Sequence, residues 1–412
     1  MQDFEKEYRL FQEALDIQDP WYIEDYKLVK SSDQFHVFLD FKRGAKFPCP
    51  HCGNEHNGVH DIANDDRMWR HKDFWQYQTY LHARLPRIKC DICDKVLTVQ
   101  VDWSRPKAGF TWLFEAQVMQ LMKEMPVAAV AREVNEHDTR LWRVFHYYVQ
   151  KNMDELDLSN ITRIAVDETS SRRGHRYVTL FVDVDSKRVI FAIEGKDASV
   201  IQSFKQHLEN KGIEATSILE CCCDMSPAFI KGIEEAFPKA HITFDKFHVM
   251  KLVNEAVDKV RRQEQNDEPL LKKTRYLWLK NSQNLSQSQH EKLMKLKDSH
   301  LNTAKAYRLR LALQGLWSTS QMFSGWYFDD WYNWAIRSRL EPIVDVARTL
   351  KRHEKGILRW FASRMTNGLL EGINSLVQAS KRKARGYRSI ENFIAMIYAT
   401  ANKFTLRVKP HA

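Results

Sequence analysis

Two Cys-x-x-Cys units, Cys49-Pro50-His51-Cys52 and Cys90-Asp91-Ile92-Cys93, stand 38 positions apart and restrict the local fold more than any other feature of the chain. Paired thiols at this spacing read as metal ligands in a reducing compartment, where disulfides do not persist. Four thiolates around one tetrahedral Zn²⁺ hold together a segment too small to build its own core. The flanking sequence suits this. Residues 21 to about 45 alternate as a strand does, with Phe35, Val37, Leu39 and Phe41 on one face, and lead into the first knuckle. A second strand-like stretch from Trp75 to Ile88 delivers the other. A zinc ribbon with Cys49, Cys52, Cys90 and Cys93 as ligands is therefore expected. His51, His56, His60 and His71 are alternatives for a single ligand position.

At 412 residues the chain exceeds one ordinary core, and two to four domains are expected. Its 12 Trp and 22 Phe argue for packed domains and against disorder. A net charge of +10 and a pI near 9.1 suit a polyanionic partner. No apolar run approaches the roughly 18 residues of a membrane span, and Met1-Gln2-Asp3-Phe4-Glu5-Lys6-Glu7 is charged where a signal peptide is apolar. A cytoplasmic protein with no membrane association is the expectation.

After the second knuckle the periodicity becomes helical. Trp112 to Lys123 carries Leu113, Ala116, Val118, Leu121 and Met122 at helical spacing, and Met125-Pro126 breaks it. Val127 to Val134 forms a second short helix. Asn135-Glu136-His137 turns, and Asp138 is placed to cap a third helix reaching about Lys151. This is helix-turn-helix order, with Arg140 and Arg143 near the start of the helix that would enter a major groove.

From Ile161 the chain reads as α/β. Three strands (Ile161 to Val166, Tyr177 to Val184, Val189 to Ile193) are separated by hairpin signals at Arg172-Arg173-Gly174 and Asp185-Ser186-Lys187. A helix over 197–210, a strand over 217–223, a helix over 227–237 and a strand over 241–244 follow. Three meandering strands followed by alternating helices and strands is ribonuclease-H-like order. A helical stretch of about 247–365 then holds six of the 12 tryptophans, Trp278, Trp317, Trp326, Trp331, Trp334 and Trp360, expected as core and dimer contacts. The division expected is 1–105 for N-terminal strands and zinc ribbon, 106–152 for the helix-turn-helix, 160–250 with 366–412 for the α/β catalytic domain, and 251–365 for an all-helical insertion.

The chemistry resides in three acids. Asp167 ends the apolar run from Ile161, and Asp224 ends that from Ser217. Glu371 lies on a helix in Asn367-Gly368-Leu369-Leu370-Glu371-Gly372-Ile373-Asn374. Two strand-end aspartates and a helix-borne glutamate suit a pair of hard cations, Mg²⁺ or Mn²⁺, which prefer oxygen ligands and leave positions open for phosphate. Glu168 competes with Asp167, but neighbouring strand residues face opposite ways, and Asp167 is the choice. Cys221, Cys222 and Cys223 read as small buried residues. Asp245-Lys246-Phe247-His248 ends the fifth strand. His248 is an accessory candidate for the scissile phosphate or a metal ligand, and Asp245 has the alternative reading of a helix cap. Lys381, Arg382, Lys383, Arg385 and Arg388, with Lys403, Arg407 and Lys409 beyond them, outnumber Glu371 and Glu391 across 369–412 and are expected to grip DNA phosphates.

These motifs together resemble the bacterial insertion-sequence DDE transposases of the ISL-three type. The resemblance rests on Cys-Pro-His-Cys-Gly with its second Cys-x-x-Cys, Val166-Asp167-Glu168, Cys223-Asp224-Met225-Ser226, Phe244-Asp245-Lys246-Phe247-His248-Val249, and the Asn367 to Asn374 segment continued by Lys381-Arg382 and Gly386-Tyr387-Arg388. It implies a DNA transposase that binds double-stranded terminal inverted repeats of its element and cuts and rejoins DNA as a dimer or higher oligomer. Asp167, Asp224 and Glu371 are then the catalytic, magnesium-binding acids. One departure stands at position 378, seven beyond the glutamate, where many DDE enzymes carry Lys or Arg. Here it is Gln378, so phosphate gripping is expected of Lys381 or Arg382. A structure-specific nuclease on the same fold and a non-catalytic DNA-binding regulator are the competing readings.

Overall fold

The computed structural model describes residues 2–402 and 404, apart from 56, 173, 175 and 298. Of the residues singled out above, His56, Arg173, Lys403, Arg407 and Lys409 lie outside those described. Among the described residues the chain divides into two compact units, residues 2–148 and residues 149–404. Among the described residues no helix is long and apolar enough to cross a membrane.

The first unit opens with helix α1 (Gln2–Ala14), which the charged N-terminal sequence did not suggest. Strands β1 (Trp21–Val29), β2 (Gln34–Phe41), β3 (Lys46–Phe47), β4 (Asn57–Arg70), β5 (Gln78–Cys90) and β6 (Lys95–Thr98) follow. They form one sheet in the order β1-β2-β5-β4-β3, with β6 paired to β5. As expected from their alternation, Phe35, Val37 and Leu39 are buried; Phe41 is half-buried. Strand β4 was not anticipated. Its middle, from Asp61 to Met68, has no buried residue, so it carries no apolar alternation to read. Backbone pairing with β5 holds it instead.

Helices α2 (Trp112–Glu124), α3 (Val127–Glu133) and α4 (Asp138–Asp154) form the helix-turn-helix within a few residues of their expected bounds. Thr111 caps α2, its hydroxyl accepting from the Phe114 N–H. Asp138 does not cap α4. The His137 carbonyl accepts the first helical bonds, from Arg140 and Leu141, and Asp138 lies in the first turn, where its charge favours the helix dipole. Glu115, fully buried, joins α2 to α4 by accepting from the Tyr148 hydroxyl at 2.9 Å while pairing with Arg105 at 2.8 Å.

The second unit is built on β7 (Arg163–Arg172), β8 (Arg176–Asp183), β9 (Arg188–Glu194), β10 (Glu220–Cys223) and β11 (His241–Phe244), in the order β11-β10-β7-β8-β9. Strands β7 to β9 are an antiparallel meander, while β10 runs parallel to both β7 and β11. This is the ribonuclease-H-like order expected. Helices α5 (Ala198–Asn210) and α6 (Pro227–Ala236) cover one face through Val200, Phe204, Phe229 and Ile233, against Val166, Phe181, Cys221 and Cys223. Helices α14 (Gly368–Lys383) and α15 (Ile390–Asn402) cover the other through Leu370, Ile373, Val377 and Phe393, against Ala165, Leu180 and Cys222. The alternation of strand residues between the two cores follows from the pleat.

Between β11 and α14 the chain is helical: α7 (Lys246–Glu264), α8 (Arg275–Leu279), α9 (Gln287–Lys297), α10 (Asn302–Leu316), α11 (Gln321–Ile336), α12 (Glu341–Arg352) and α13 (Glu354–Ser363). Helix α13 docks on β11 closely enough that a methyl at Gly356 would lie 2.5 Å from the Phe244 ring. Only some of the tryptophans are core. Trp278, Trp331 and Trp360 are buried, whereas Trp326 is 72% exposed and Trp334 also faces solvent.

Candidate active site

In the first unit, the donor atoms of Cys49, Cys52, Cys90 and Cys93 all lie within 4.8 Å of one another. The Cys49–Cys93 and Cys52–Cys90 sulfurs are 3.7 and 3.5 Å apart. Backbone N–H groups serve the knuckles. Those of Cys93 and Ile92 bring the Cys90 thiol down to about 6. At Cys49 burial acts upward, yet the N–H groups of Cys52 and His51 leave that thiol below its ordinary value. The hydrogen bond with Cys52 and burial instead push the Cys93 thiol up, and it is the four-sulfur cage that fits Zn²⁺. Two of the histidine alternatives are employed elsewhere: His60 pairs with Asp61, and buried His71 bonds the Thr111 hydroxyl at 2.9 Å.

Helix α4 leaves Thr139 and Arg143 exposed, with Trp142 and His146 half-buried beside them. Arg140, selected from the sequence with Arg143, is largely engaged within the unit. Its guanidinium pairs with Glu136 at 2.7 Å and lies 4.2 Å over the Phe110 ring. Arg143 is exposed.

In the second unit the acids are arranged by strand register. Cys222 pairs with Ala165 of β7 on one side and Thr243 of β11 on the other. Two residues further along each strand path stand Asp224, Asp167 and Asp245. The three therefore share one level and, by the pleat, one face, that of Ala165 and Cys222. Glu168 falls on the opposite parity. Asp167 does not end its strand as expected, because β7 continues to Arg172 along β8. Its pairing with β10 ends at Ala165, so β7 runs on past the end of its parallel neighbour at Asp167.

Helix α14 packs on this same face and carries Glu371. Asn374 donates to Asp167 Oδ2 at 2.9 Å, Gln378 donates to Thr169 Oγ1 at 2.9 Å and to the Ser170 carbonyl at 3.0 Å, and Lys381 donates to that carbonyl at 2.7 Å. Side chains at i, i+4 and i+7 thus fasten the helix along β7. Gln378 thus binds the edge of β7, at the position where many DDE enzymes carry Lys or Arg. Arg172 reaches the Tyr387 and Arg388 carbonyls beyond the helix end. Arg382, Arg385 and Arg388 are exposed; Lys381 is half-buried. Beside Glu371, a methyl at Gly372 would meet nothing within 4 Å, so that flank of the helix is open.

The electrostatics are those of an acid cluster short of cations. Burial raises the Asp167 carboxyl above its ordinary value, and the charges of Asp224 and Asp245 add to this; the Glu168 N–H and His248 oppose it. Burial and then Asp245 raise Glu371, against His248. Glu168 is raised by burial and Asp224. The Asp224 carboxylate accepts from the Ser226 N–H at 3.0 Å, at the start of α6. Among the described residues, the four cysteines are the one group of three or more such ligands gathered within 4.8 Å; Asp167, Asp224 and Glu371 are not drawn that close. Cys221, Cys222 and Cys223 are fully buried, with their thiols raised well above the ordinary value by burial, and are inert.

Comparison with known proteins adds three family matches. A model described as a transposase covers residues 164–397, a helix-turn-helix domain of transposase family ISL3 covers 99–149, and a zinc finger of the transposases IS204/IS1001/IS1096/IS1165 covers 45–93. The chain is 29% identical over 388 residues to the transposase for insertion sequence element IS1557 of Mycobacterium tuberculosis, covering 85% of each. It is 28% identical over 362 residues to the transposase for insertion sequence element IS1001 of Bordetella parapertussis, covering 85% of this chain and 88% of the relative.

Proposed function

The chain belongs to the ISL3 family of transposases and is a DNA transposase with a zinc ribbon and a helix-turn-helix, and on that premise we propose that Asp167, Asp224 and Glu371 are its catalytic, metal-binding acids. The supporting observation is that α14, which carries Glu371, is hydrogen-bonded through Asn374 to Asp167 itself. Strand and helix acids are thereby held on one face of the sheet. Their raised carboxyls mark a site that gains from divalent cations, and an all-oxygen donor set suits Mg²⁺ or Mn²⁺. When bound, a pair of such ions supplies the charge that activates a water or 3′-hydroxyl and stabilises the departing 3′-oxygen.

The chain's own residues position the rest. Asn374 orients the Asp167 carboxylate, His248 faces the scissile phosphate, Arg382, Lys383, Arg385 and Arg388 hold the strand, and Lys381 seats α14 against β7 through the Ser170 carbonyl. Arg143 leads the groove contacts of α4, and Arg140 supports the loop beneath it. The four-part division 1–105, 106–152, 160–250 with 366–412, and 251–365 assigns zinc, end recognition, chemistry and a helical insertion respectively. Cutting and joining two element ends in one event needs two such sites, so the active form is at least a dimer on terminal inverted repeats and target DNA. Action on chromosomal DNA places it in the bacterial cytoplasm, at the nucleoid.

The test is cleavage by the purified chain, with Mg²⁺, of DNA carrying the element's ends, against Glu371→Gln. Nicking at the repeat ends that disappears in the variant supports the assignment. Equal cutting by the variant removes Glu371 from the site, and end binding without cutting by either protein identifies a regulator.

A further inference from the structure

Asp245 has the structural profile of a ligand and none of the usual profile of a cap. It stands at the start of α7, where an Asp ordinarily accepts from backbone N–H groups, yet its side chain makes no capping hydrogen bond. It is 1% exposed, and its Oδ2 has no hydrogen-bond partner. Among the described residues no Lys or Arg pairs with it. Among the described residues the one ion-pair partner in reach is the His248 imidazole, whose Nδ1 is 3.6 Å away and likewise has no hydrogen bond. Isolated buried carboxylates are strongly unfavourable unless paired or coordinated.

The register says what it faces. Cys223 pairs with Phe244, and the Asp245 N–H donates to the Cys223 carbonyl at 3.3 Å, so β11 keeps step with β10 up to Asp245. Asp245 thus extends the row formed by Asp167 and Asp224 to a third adjacent strand, on the face that α14 covers. Its charge reaches both Asp167 and Glu371.

We infer that Asp245 is a fourth carboxylate of the metal site, with its free Oδ2 taking a divalent cation alongside Asp167. The inference rests on the proposed metal role of Asp167, Asp224 and Glu371. It makes β11 part of the site, and it explains a buried acid that neither caps its helix nor forms a hydrogen-bonded pair.

The experiment is Mn²⁺ binding to the full-length protein, read as loss of the free-ion electron paramagnetic resonance signal, together with melting in metal-free buffer. Asp245→Asn is expected to weaken Mn²⁺ binding at least tenfold without lowering the metal-free Tm, because it removes an uncompensated charge. A purely structural Asp245 predicts the reverse: a lower Tm and unchanged binding, which overturns the inference. Asp167→Asn separates the two levels. If it too leaves binding unchanged, the underlying metal site fails; if it abolishes binding while Asp245→Asn does not, only the present inference fails. Should Asp245→Asn not fold, Asp245→Cys decides. A cation ligand there makes the existing site prefer Cd²⁺, read as weakened Mn²⁺ binding with Cd²⁺ binding retained, and wild-type Mn²⁺ affinity in Asp245→Cys overturns the inference.

Discussion

Asn374 donates a hydrogen bond to Asp167 at 2.9 Å from a position three residues beyond Glu371 on the same helix. One amide therefore links the two elements that carry the proposed acids. A hydrogen bond to a charged group contributes roughly 1.5–3 kcal/mol. Asn374→Ala is expected to slow strand cleavage about 10- to 100-fold while leaving end binding intact. Asn374→Asp, which sets a like charge against Asp167, should be worse. Single-turnover cleavage beside a gel-shift assay checks both, and wild-type cutting by Asn374→Ala would make the contact incidental.

Lys381 and Arg382 should separate in a salt titration. Lys381 is half-buried and donates to the Ser170 carbonyl, whereas Arg382 is exposed. Arg382→Ala is expected to lower the slope of log Kd against log salt by about 1, as loss of one phosphate contact does. Lys381→Ala should instead show mainly as a lower Tm, through a looser seat for α14. Identical salt slopes for Arg382→Ala and wild type would place the phosphate elsewhere.

Zinc content should be one ion per chain and should fall in Cys90→Ser. With the ribbon's four sulfurs as its anchor, the variant is expected to lose repeat-end binding, because removing a structural zinc unfolds its module. Zinc release by a thiol-blocking reagent, followed colorimetrically, is the check. Full end binding by a zinc-free protein would contradict it.

His71 gives the first unit an acid limit. Burial first, then Arg70, lowers its imidazole from 6.5 to about 4. The folded form keeps the ring neutral while the unfolded chain protonates at about 6.5. This contribution is whole above that value and is lost as pH falls toward 4, by about 3 kcal/mol in all. His71→Gln should flatten that part of the profile of unit stability against pH. An unchanged slope between pH 6.5 and 4 would remove His71 as its source.

The acid cluster acts with the opposite sign. Asp167 and Glu371 have folded values above the ordinary carboxylate range, so their favourable contribution is complete below that range and fades as pH rises through the raised values. In metal-free buffer, Asp167→Asn is therefore expected to melt above the wild type at neutral pH and to converge with it in acid. Saturating Mg²⁺ should narrow the difference at neutral pH. Parallel melting curves at every pH would count against a strained acid set.

Several features were legible because they are local. The four cysteines form their cage in short turns served by their own backbone N–H groups, so spacing alone revealed them. Helices α2 to α4 and strands β7 to β11 carry periodic apolar residues that announce each element. Strand β4 was not legible, since a strand without buried residues through its middle has no pattern to read. Arg140 shows a related limit: its position on α4 is visible in the sequence, but its partners Phe110 and Glu136 are supplied by the packed unit.

The sequence by itself determined which acids, thiols and basic residues exist and which elements bear them, because hydrophobic periodicity and ligand spacing act over a few residues. Only the tertiary structure decided that Asp245 joins the row of Asp167 and Asp224, that Asn374 fastens Glu371's helix to Asp167, and that Gln378 binds a strand edge. Those relations depend on register across β7, β10 and β11 and on which face of the sheet α14 covers. Pairings such as Asn374 with Asp167 and Gln378 with Thr169 join residues 207 and 209 positions apart and are set by the packing of the whole sheet.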